Sequence, residues 1–180
     1  ASDMRQPKPM NRLLQGDVGS GKTAVAAYCM LATAATSVLG DKSEEDSSST
    51  RSSARFQAAI MAPTELLARQ HYHTLTSLLA ERGSSLQVGL LVGGQRIAER
   101  RKLREQIESG DIQLVVGTQS GIDDGFYPLG FCLVVIDEQH RFGVLQRSLL
   151  RQGSRDPHTL VMTATPIPRT VAHAVYGDLD

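Results

Sequence analysis

The chain alternates between short runs of mostly apolar residues and longer segments in which apolar residues recur at helical spacing. The short runs predict six strands, at residues 12–15, 56–62, 87–92, 112–116, 131–136 and 160–162. The longer segments predict a helix from the end of a glycine-rich loop to about residue 37, and helices at residues 64–80, 96–109 and 144–151. Residues 131–136 are apolar throughout, as in a central strand buried on both faces of a parallel sheet. The predicted fold is a doubly wound parallel α/β sheet with helices on both faces, in three layers.

The segment after the second strand predicts an amphipathic helix. Pro63 ends the strand, and Thr64 is a predicted N-cap with Glu65 in the first turn. Four residues fall on one helical face: Leu67, His71, Leu75 and Leu78. We predict that His71 packs in this apolar stripe and is not a metal ligand, because no second metal-binding residue type has matching spacing.

Two polar segments stand out from this pattern. Residues 41–53 contain no apolar side chain, so they cannot bury surface, and we predict a disordered insertion over residues 41–54. The helix at residues 96–109 carries an excess of basic residues. It either contacts phosphates or forms a solvated outer helix of the domain, and we favour the second interpretation.

Composition narrows the class of protein. A length of 180 residues, 41% of them hydrophobic, fits one soluble domain of ordinary size. The 19 basic residues balance the 19 acidic ones, so any nucleic-acid surface must be local. Cys29 and Cys132 lack metal spacing and are predicted to be buried thiols of a reducing compartment. No apolar run is long enough for a membrane helix and no secretory signal is visible. The start at Ala1 leads us to expect a piece of a longer protein.

Residues 16–23 read Gly-Asp-Val-Gly-Ser-Gly-Lys-Thr and lie between a predicted strand and a predicted helix. Glycines allow such a loop to turn its backbone N–H groups inward, towards an anion at the helix N-terminus. A chance glycine-rich turn is the alternative, and this structural context disfavours it. In a nucleotide site, Lys22 reaches the β- and γ-phosphates and the Thr23 hydroxyl ligates Mg²⁺. The predicted nucleotide-binding residues here are Gly16, Gly19, Ser20, Gly21, Lys22 and Thr23.

Ligands of doubly wound sheets bind at the carboxyl ends of the strands. In this chain those ends carry the glycine loop and residues 63–64, 93–94, 117–118, 137–138 and 163–165. Asp137 is predicted to orient Mg²⁺, partly through water, and Glu138 to polarise the water that attacks the γ-phosphate. With Lys22 they form the predicted catalytic set. A pair of surface carboxylates at a strand end is the alternative.

Five of these segments, at residues 16–23, 62–67, 116–118, 137–140 and 163–165, resemble in this order motifs I, Ia, Ib, II and III of superfamily 2 helicases. Longer strings at residues 10–23, 135–144, 162–170 and 175–180 resemble the RecG family of ATP-dependent branched-DNA helicases. The related transcription-repair coupling translocases share the string at 163–170 but typically have glutamate where this chain has Gln139. At residues 117–120 the helicases usually show Gly-Thr-His-Ala, whereas this chain has Gly-Thr-Gln-Ser.

The resemblance implies a single RecA-like P-loop NTPase lobe over residues 1–180 that uses ATP and Mg²⁺. His140, Thr163 and Thr165 then join the nucleotide site, with the two hydroxyls sensing the γ-phosphate; simple polar termination of a strand is the alternative. DNA is expected to lie across residues that offer backbone N–H groups, hydroxyls and one cation. These residues are Pro63, Thr64, Arg69, Gly93, Gly94, Gly117 and Thr118.

The resemblance also implies partners. Branched DNA is expected to bind through its phosphate backbone, while a second RecA-like lobe supplies an arginine finger and a wedge domain of the same protein recognises the branch. Such an arginine contributes about 10³–10⁵ in rate, so we expect this chain alone to hydrolyse ATP very slowly. The protein is expected to be a monomer without membrane contact, in the bacterial cytoplasm at the nucleoid or in an organelle of a eukaryote.

Three hypotheses of function remain at this point. The first is the ATP-binding lobe of a branched-DNA helicase that acts in repair and recombination. The second is the corresponding lobe of a transcription-repair coupling translocase, whose partner is RNA polymerase. The third is a non-catalytic module that binds nucleotide or DNA. Flanking sequence separates the first two, and DNA-stimulated ATP turnover separates both from the third.

Overall fold

A computed structural model describes residues 9–40, 56–122, 131–137 and 157–164 of the chain. The strands of this part are β1 (Asn11–Gln15), β2 (Gln57–Ala62), β3 (Val88–Leu91), β4 (Leu114–Thr118), β5 (Phe131–Asp137) and β6 (His158–Thr163). Its helices are α1 (Lys22–Gly40), α2 (Glu65–Glu81), α3 (Ile97–Glu108) and α4 (Gln119–Ile122). The predicted insertion at residues 41–54 and the predicted helix at 144–151 lie outside the described residues.

The six strands form one sheet in the order β1-β6-β5-β2-β4-β3, and every neighbouring pair is parallel. Side chains alternate between the two faces of the sheet. In β5, Leu133 and Val135 join the core beneath α1 and α2, whereas Val134 and Ile136 join the core that includes Ile107 of α3. Helices therefore cover both faces, and the doubly wound fold predicted from the sequence is confirmed.

Helix α2 begins as predicted. The Thr64 hydroxyl accepts a hydrogen bond from the Leu67 amide at 3.3 Å, which caps the helix. The buried face consists of Ala68, His71, Leu75 and Leu79, and Leu67 and Leu78 flank it half-buried. The helix therefore lies slightly rotated from the stripe that the sequence pattern predicted.

Strand β4 begins two residues later than predicted, because Gln113 closes the preceding turn. Its side-chain amide donates to the Gly110 carbonyl at 2.7 Å and its oxygen accepts from the Gln87 amide at 2.9 Å. A second buried glutamine, Gln57, donates to the carbonyls of Ile107 and Ile112 at 2.6 and 2.7 Å. Both side chains satisfy carbonyls where the sheet meets the α3–β4 turn.

Cys29 and Cys132 are thiols outside any disulfide, as predicted, although each is half-buried rather than fully buried. Burial raises the pKa of the Cys29 thiol above its ordinary value. None of the helices in the described ranges combines the length and apolar character needed to cross a bilayer.

Candidate functional site

Parallel pairing places the carboxyl ends of all six strands along one edge of the sheet, as the sequence predicts. The register sets Gln15 beside Thr163 and Ala62 beside Thr118. Strand order divides the edge into two halves. The predicted nucleotide residues follow β1, β6 and β5, and the predicted DNA residues follow β2, β4 and β3. Asp137, at the end of β5, lies next to the boundary between the halves because β5 pairs with β2.

The glycine loop connects β1 to α1 through backbone conformations that require glycine. Gly19 and Gly21 have φ angles of 81° and 86°, in the left-handed region that side chains rarely adopt. At Gly16 an added Cβ would lie 2.7 Å from the Ser20 hydroxyl, so the loop closes tightly upon itself. The Ser20 amide donates to the Asp17 carbonyl at 3.1 Å, which completes the turn.

Lys22 is the first residue of α1, and its ammonium group folds back over the loop. It donates to the carbonyls of Gly16 and Asp17 at 2.6 and 2.8 Å. Thr23 follows in the exposed first turn of the helix. The cation, the hydroxyl and the N-terminal amides of a long helix therefore converge on the loop, which is the donor set that binds phosphate.

Strand β6 fastens the loop to the sheet. The Gly16 amide donates to the carbonyl of Thr163 at 3.2 Å, directly after the last register pair of β1 and β6. Thr163 is buried, with 3% of its surface exposed. The end of β6 is therefore bonded directly to the loop through the backbone. Three other predicted nucleotide-site residues, Glu138, His140 and Thr165, lie outside the described residues.

Asp137 has a partner that sequence reasoning did not identify. Its carboxylate Oδ2 lies 2.7 Å from Nε2 of His71, on α2. Both side chains are largely enclosed, with 8% of His71 and 16% of Asp137 exposed. The prediction that His71 packs in the core is confirmed, but the ring also binds the carboxylate.

On the other half of the edge, Pro63 and Thr64 are exposed where α2 begins. Arg69 lies one turn further along this helix, also exposed, and donates through Nε and Nη2 to one oxygen of Glu65 at 3.0 and 2.6 Å. An exposed pair of this kind contributes little stability and opens readily. The guanidinium is therefore accessible to a phosphate.

The turn that contains Gly93 and Gly94 is closed by the Gln95 side chain, which was not singled out from the sequence. Gln95 accepts from the Val92 amide at 3.2 Å and donates to the Leu90 carbonyl at 2.8 Å. Both glycines are exposed. The turn therefore exposes its two glycines on a fixed support.

The short helix α4 lies against this turn. An added Cβ at Gly93 would lie 3.2 Å from the Ser120 hydroxyl, and one at Gly121 would lie 2.3 Å from the Leu91 carbonyl oxygen. The Thr118 hydroxyl is buried and accepts from the Gly121 amide at 3.3 Å, so it shapes the turn, while Ser120 is exposed. Gly117 lies in the buried strand β4.

Arg100 joins α3 to α4. Its Nη2 donates to the carbonyls of Ser120 and Gly121 at 3.1 and 2.7 Å. On the exposed side of the helix, Arg101 pairs with Glu105 at 3.0 Å. The preference for a solvated outer helix therefore holds for the outward face of α3. Its inner face packs against the sheet through Ile107, and Arg100 ties α4 to the helix.

The side chains and amides of the predicted nucleotide site are of the chemical types that bind a nucleotide together with Mg²⁺. The tight loop and Lys22 suit phosphate, and the Thr23 hydroxyl and Asp137 carboxylate are oxygen ligands of the kind that Mg²⁺ takes. Mg²⁺ commonly uses one or two protein oxygens together with substrate phosphates and water. In the described ranges no cluster of three His, Cys, Asp or Glu residues forms a separate metal site.

A parallel α/β sheet with this loop at its edge defines a P-loop nucleotide-binding domain of the RecA-like class. The sequence matches the DEAD/DEAH box helicase family over residues 4–174, and the chain belongs to that family. Solved structures share the fold. Saccharomyces cerevisiae Dbp5 superposes with a TM-score of 0.63 at 21% identity, over 99% of this chain and 44% of Dbp5. The yeast splicing factor Prp28 superposes with a TM-score of 0.64 at 19% identity, over 96% of this chain and 40% of Prp28.

Curated relatives are closer in sequence. The chain is 44% identical over 179 residues to the ATP-dependent DNA helicase RecG of Streptococcus pneumoniae, covering 99% of this chain and 23% of that protein. It is 47% identical over 183 residues to the RecG of Synechocystis, covering 99% of this chain and 19% of that protein. The chain thus spans about a fifth to a quarter of the length of these relatives. The similarity to RecG expected from the motif strings is confirmed.

Proposed function

We propose that the chain is the ATP-binding motor lobe of an ATP-dependent helicase that remodels branched DNA in repair and recombination. The main observation that supports the proposal is the strand order, which places the predicted nucleotide residues and the predicted DNA residues on adjoining halves of one sheet edge. A motor needs both sites on one rigid support, so that a change at one site moves the other. Similarity over nearly the whole chain to proteins named as ATP-dependent DNA helicases supports DNA as the substrate, and the choice of branched DNA rests on the resemblance of the motif strings.

On the nucleotide half, the loop amides and Lys22 hold the phosphates. Thr23 and Asp137 would hold Mg²⁺, Asp137 partly through water; bound Mg²⁺ neutralises charge on the phosphate oxygens. Glu138 takes up the proton of the attacking water. Thr163 and Thr165, with His140, register the γ-phosphate, and Thr163 passes the change to the loop through its bond with the Gly16 amide.

On the DNA half, we assign phosphate contacts to the exposed positions of two turns and the first turns of α2. Backbone amides of Gly93 and Gly94, the Thr64 hydroxyl and Arg69 contact the backbone without reading sequence. Pro63, Gly117 and Thr118 shape these turns. Further domains of the same protein, a second RecA-like lobe with an arginine finger and a wedge domain, complete the motor, which we expect to act as a monomer.

ATP turnover by the full-length protein tests the proposal, measured without DNA, with linear duplex and with a forked duplex. We expect the fork to stimulate turnover most. Lys22→Ala and Glu138→Gln should each lower the stimulated rate by about 100-fold or more, since each removes a group that stabilises transition-state charge or moves a proton. The exposed residues Lys102 and Glu81 offer matched controls, Lys102→Ala and Glu81→Gln, which should retain the parental rate.

The other hypotheses predict different results. Equal stimulation by linear and forked duplex would favour a translocase such as the transcription-repair coupling type. Nucleotide binding without DNA-stimulated turnover would favour a non-catalytic module. Turnover that survives Lys22→Ala and Glu138→Gln would contradict the assigned mechanism.

A further inference from the structure

The contact between His71 and Asp137 joins the two halves of the sheet edge. His71 lies on α2, which begins at the predicted DNA residues, and Asp137 ends β5, in the nucleotide half. Nε2 of His71 and Oδ2 of Asp137 are 2.7 Å apart. Because an ionised carboxylate only accepts hydrogen bonds, we assign the proton to Nε2, which makes His71 the donor.

The packing of α2 holds the imidazole in place. Ala68, Leu75 and Leu79 lie on the same buried face of the helix, and α2 packs over β2, β3 and β4. The ring has 8% of its surface exposed, so it has little freedom to leave its partner. A bond to one carboxylate oxygen restricts the rotation of the Asp137 side chain, and among the described residues no hydrogen bond to its other oxygen is seen.

We propose that His71 is a positioning residue that orients Asp137 for Mg²⁺. This inference rests on the proposed function, because it takes Asp137 as a Mg²⁺ ligand. Groups that hydrogen-bond to a metal ligand fix its geometry, and their loss typically lowers metal affinity or activity by about 10–100-fold. His71 acts through the carboxylate and does not touch the nucleotide.

The contact also makes α2 a mechanical link. His71 lies about 10 Å along the helix from the Thr64 cap, given a rise of about 1.5 Å per residue. A helix of 17 residues moves as a rigid body, so a shift of its N-terminus on binding DNA also shifts the His71 ring. The same residue therefore couples occupancy of the DNA half to the orientation of Asp137.

The experiment measures binding of a fluorescent ADP analogue to the full-length protein while Mg²⁺ is titrated. His71→Ala should raise the half-saturating Mg²⁺ concentration by about tenfold or more. ADP binding in the presence of EDTA should remain at the parental level, because Lys22 and the loop are intact. His73, which is exposed two residues away on the same helix, provides the control His73→Ala, which should change neither quantity.

Two further variants separate positioning from packing. Glutamine places a side-chain N–H near the position of the imidazole Nε2, whereas asparagine is too short. His71→Gln should therefore recover most of the Mg²⁺ affinity, and His71→Asn should not. In ATPase assays, His71→Ala should raise the Mg²⁺ requirement and reduce the ratio of DNA-stimulated to basal turnover.

Several results would overturn the inference. One is an equal Mg²⁺ requirement for His71→Ala and His73→Ala. Another is an equal Mg²⁺ requirement for His71→Gln and His71→Asn. That comparison can still be made if His71→Ala fails to fold. Loss of ADP binding in EDTA together with a lowered Tm would assign His71 a purely structural role. Failure of the proposed function is distinguishable, because Lys22→Ala would then bind ADP like the parent.

Discussion

Gly121 is the position where the structure leaves least room for any side chain. A Cβ there would lie 2.3 Å from the Leu91 carbonyl oxygen, 2.7 Å from its carbon and 3.0 Å from the Val92 nitrogen, where ordinary van der Waals contact begins at 3.4 Å. All three obstacles are backbone atoms of β3 and its end, so no rotamer change relieves them. Gly121→Ala therefore requires α4 to move away from β3 by about 1 Å, and overpacking of this kind costs about 1–3 kcal/mol.

The movement also disturbs Arg100, whose Nη2 donates to the carbonyls of Ser120 and Gly121. A typical hydrogen bond contributes about 1 kcal/mol net, so weakening this pair adds about 1 kcal/mol. We expect Gly121→Ala to lower the free energy of unfolding by about 3 kcal/mol. For a chain of this size that corresponds to a fall in Tm of about 6–12 °C.

Thermal and urea unfolding of the chain measure the effect, with Gly94→Ala as the matched control. At Gly94 the nearest atom to an added Cβ is the Glu65 carboxylate oxygen at 3.9 Å, so the same substitution meets no obstacle. We expect the control to change stability by less than about 0.5 kcal/mol. If the two variants unfold alike, α4 does not lie against β3 as described.

Two other predictions follow from backbone conformation and from titration. Gly21 and Gly83 have φ angles of 86° and 58°, and neither has an atom near the position of an added Cβ, so alanine at either should lower the free energy of unfolding by about 1–2 kcal/mol. Urea unfolding should show similar losses for the two variants, whereas only Gly21→Ala should weaken binding of a fluorescent ADP analogue. Equal ADP binding by both variants would contradict the assignment of the loop. Burial lowers the pKa of His158, whose Nδ1 accepts from the Met10 amide at 2.8 Å. The imidazole of His158 therefore binds a proton more readily in the unfolded chain than in the folded one. The neutral ring contributes its full stabilisation above about pH 6.5, and that stabilisation is lost as pH falls through the lowered pKa of the folded state. Unfolding measured against pH should show a smaller loss in that window for His158→Asn, and an unchanged profile would refute the assignment.

The spacing of apolar residues along the sequence predicted most of the fold. Each described strand overlaps a predicted one, because a strand buried on both faces leaves a continuous apolar run that requires no knowledge of its neighbours. The edge that carries the candidate site followed from the same pattern, since parallel strands end on one side. The order of the strands did not follow, because pairing between runs such as β1 and β6 leaves no local trace.

Single long-range contacts were missed for the same reason. The bond from His71 to Asp137 spans 66 residues, and a polar residue within an apolar stripe was the only signal for it. Helix α4 is too short to show a period, and the approach of Gly121 to β3 depends on tertiary packing. The delayed start of β4 follows from Gln113, whose side chain competes for turn carbonyls in a way that an apolar pattern does not record.

The pairing of β1 with β6 has a consequence for the order in which the molecule is assembled. In the described sheet β1 is bound through β6 alone, and the bond from the Met10 amide to His158 spans 148 residues. A ribosome that adds about 5–20 residues per second needs on the order of ten seconds to synthesise that separation. Once residue 23 has been added, and for the rest of this interval, the nascent chain contains the whole phosphate loop without the strand that fastens it. We therefore expect nucleotide to stabilise the domain by mass action after β6 has docked, and not in the earlier steps of folding.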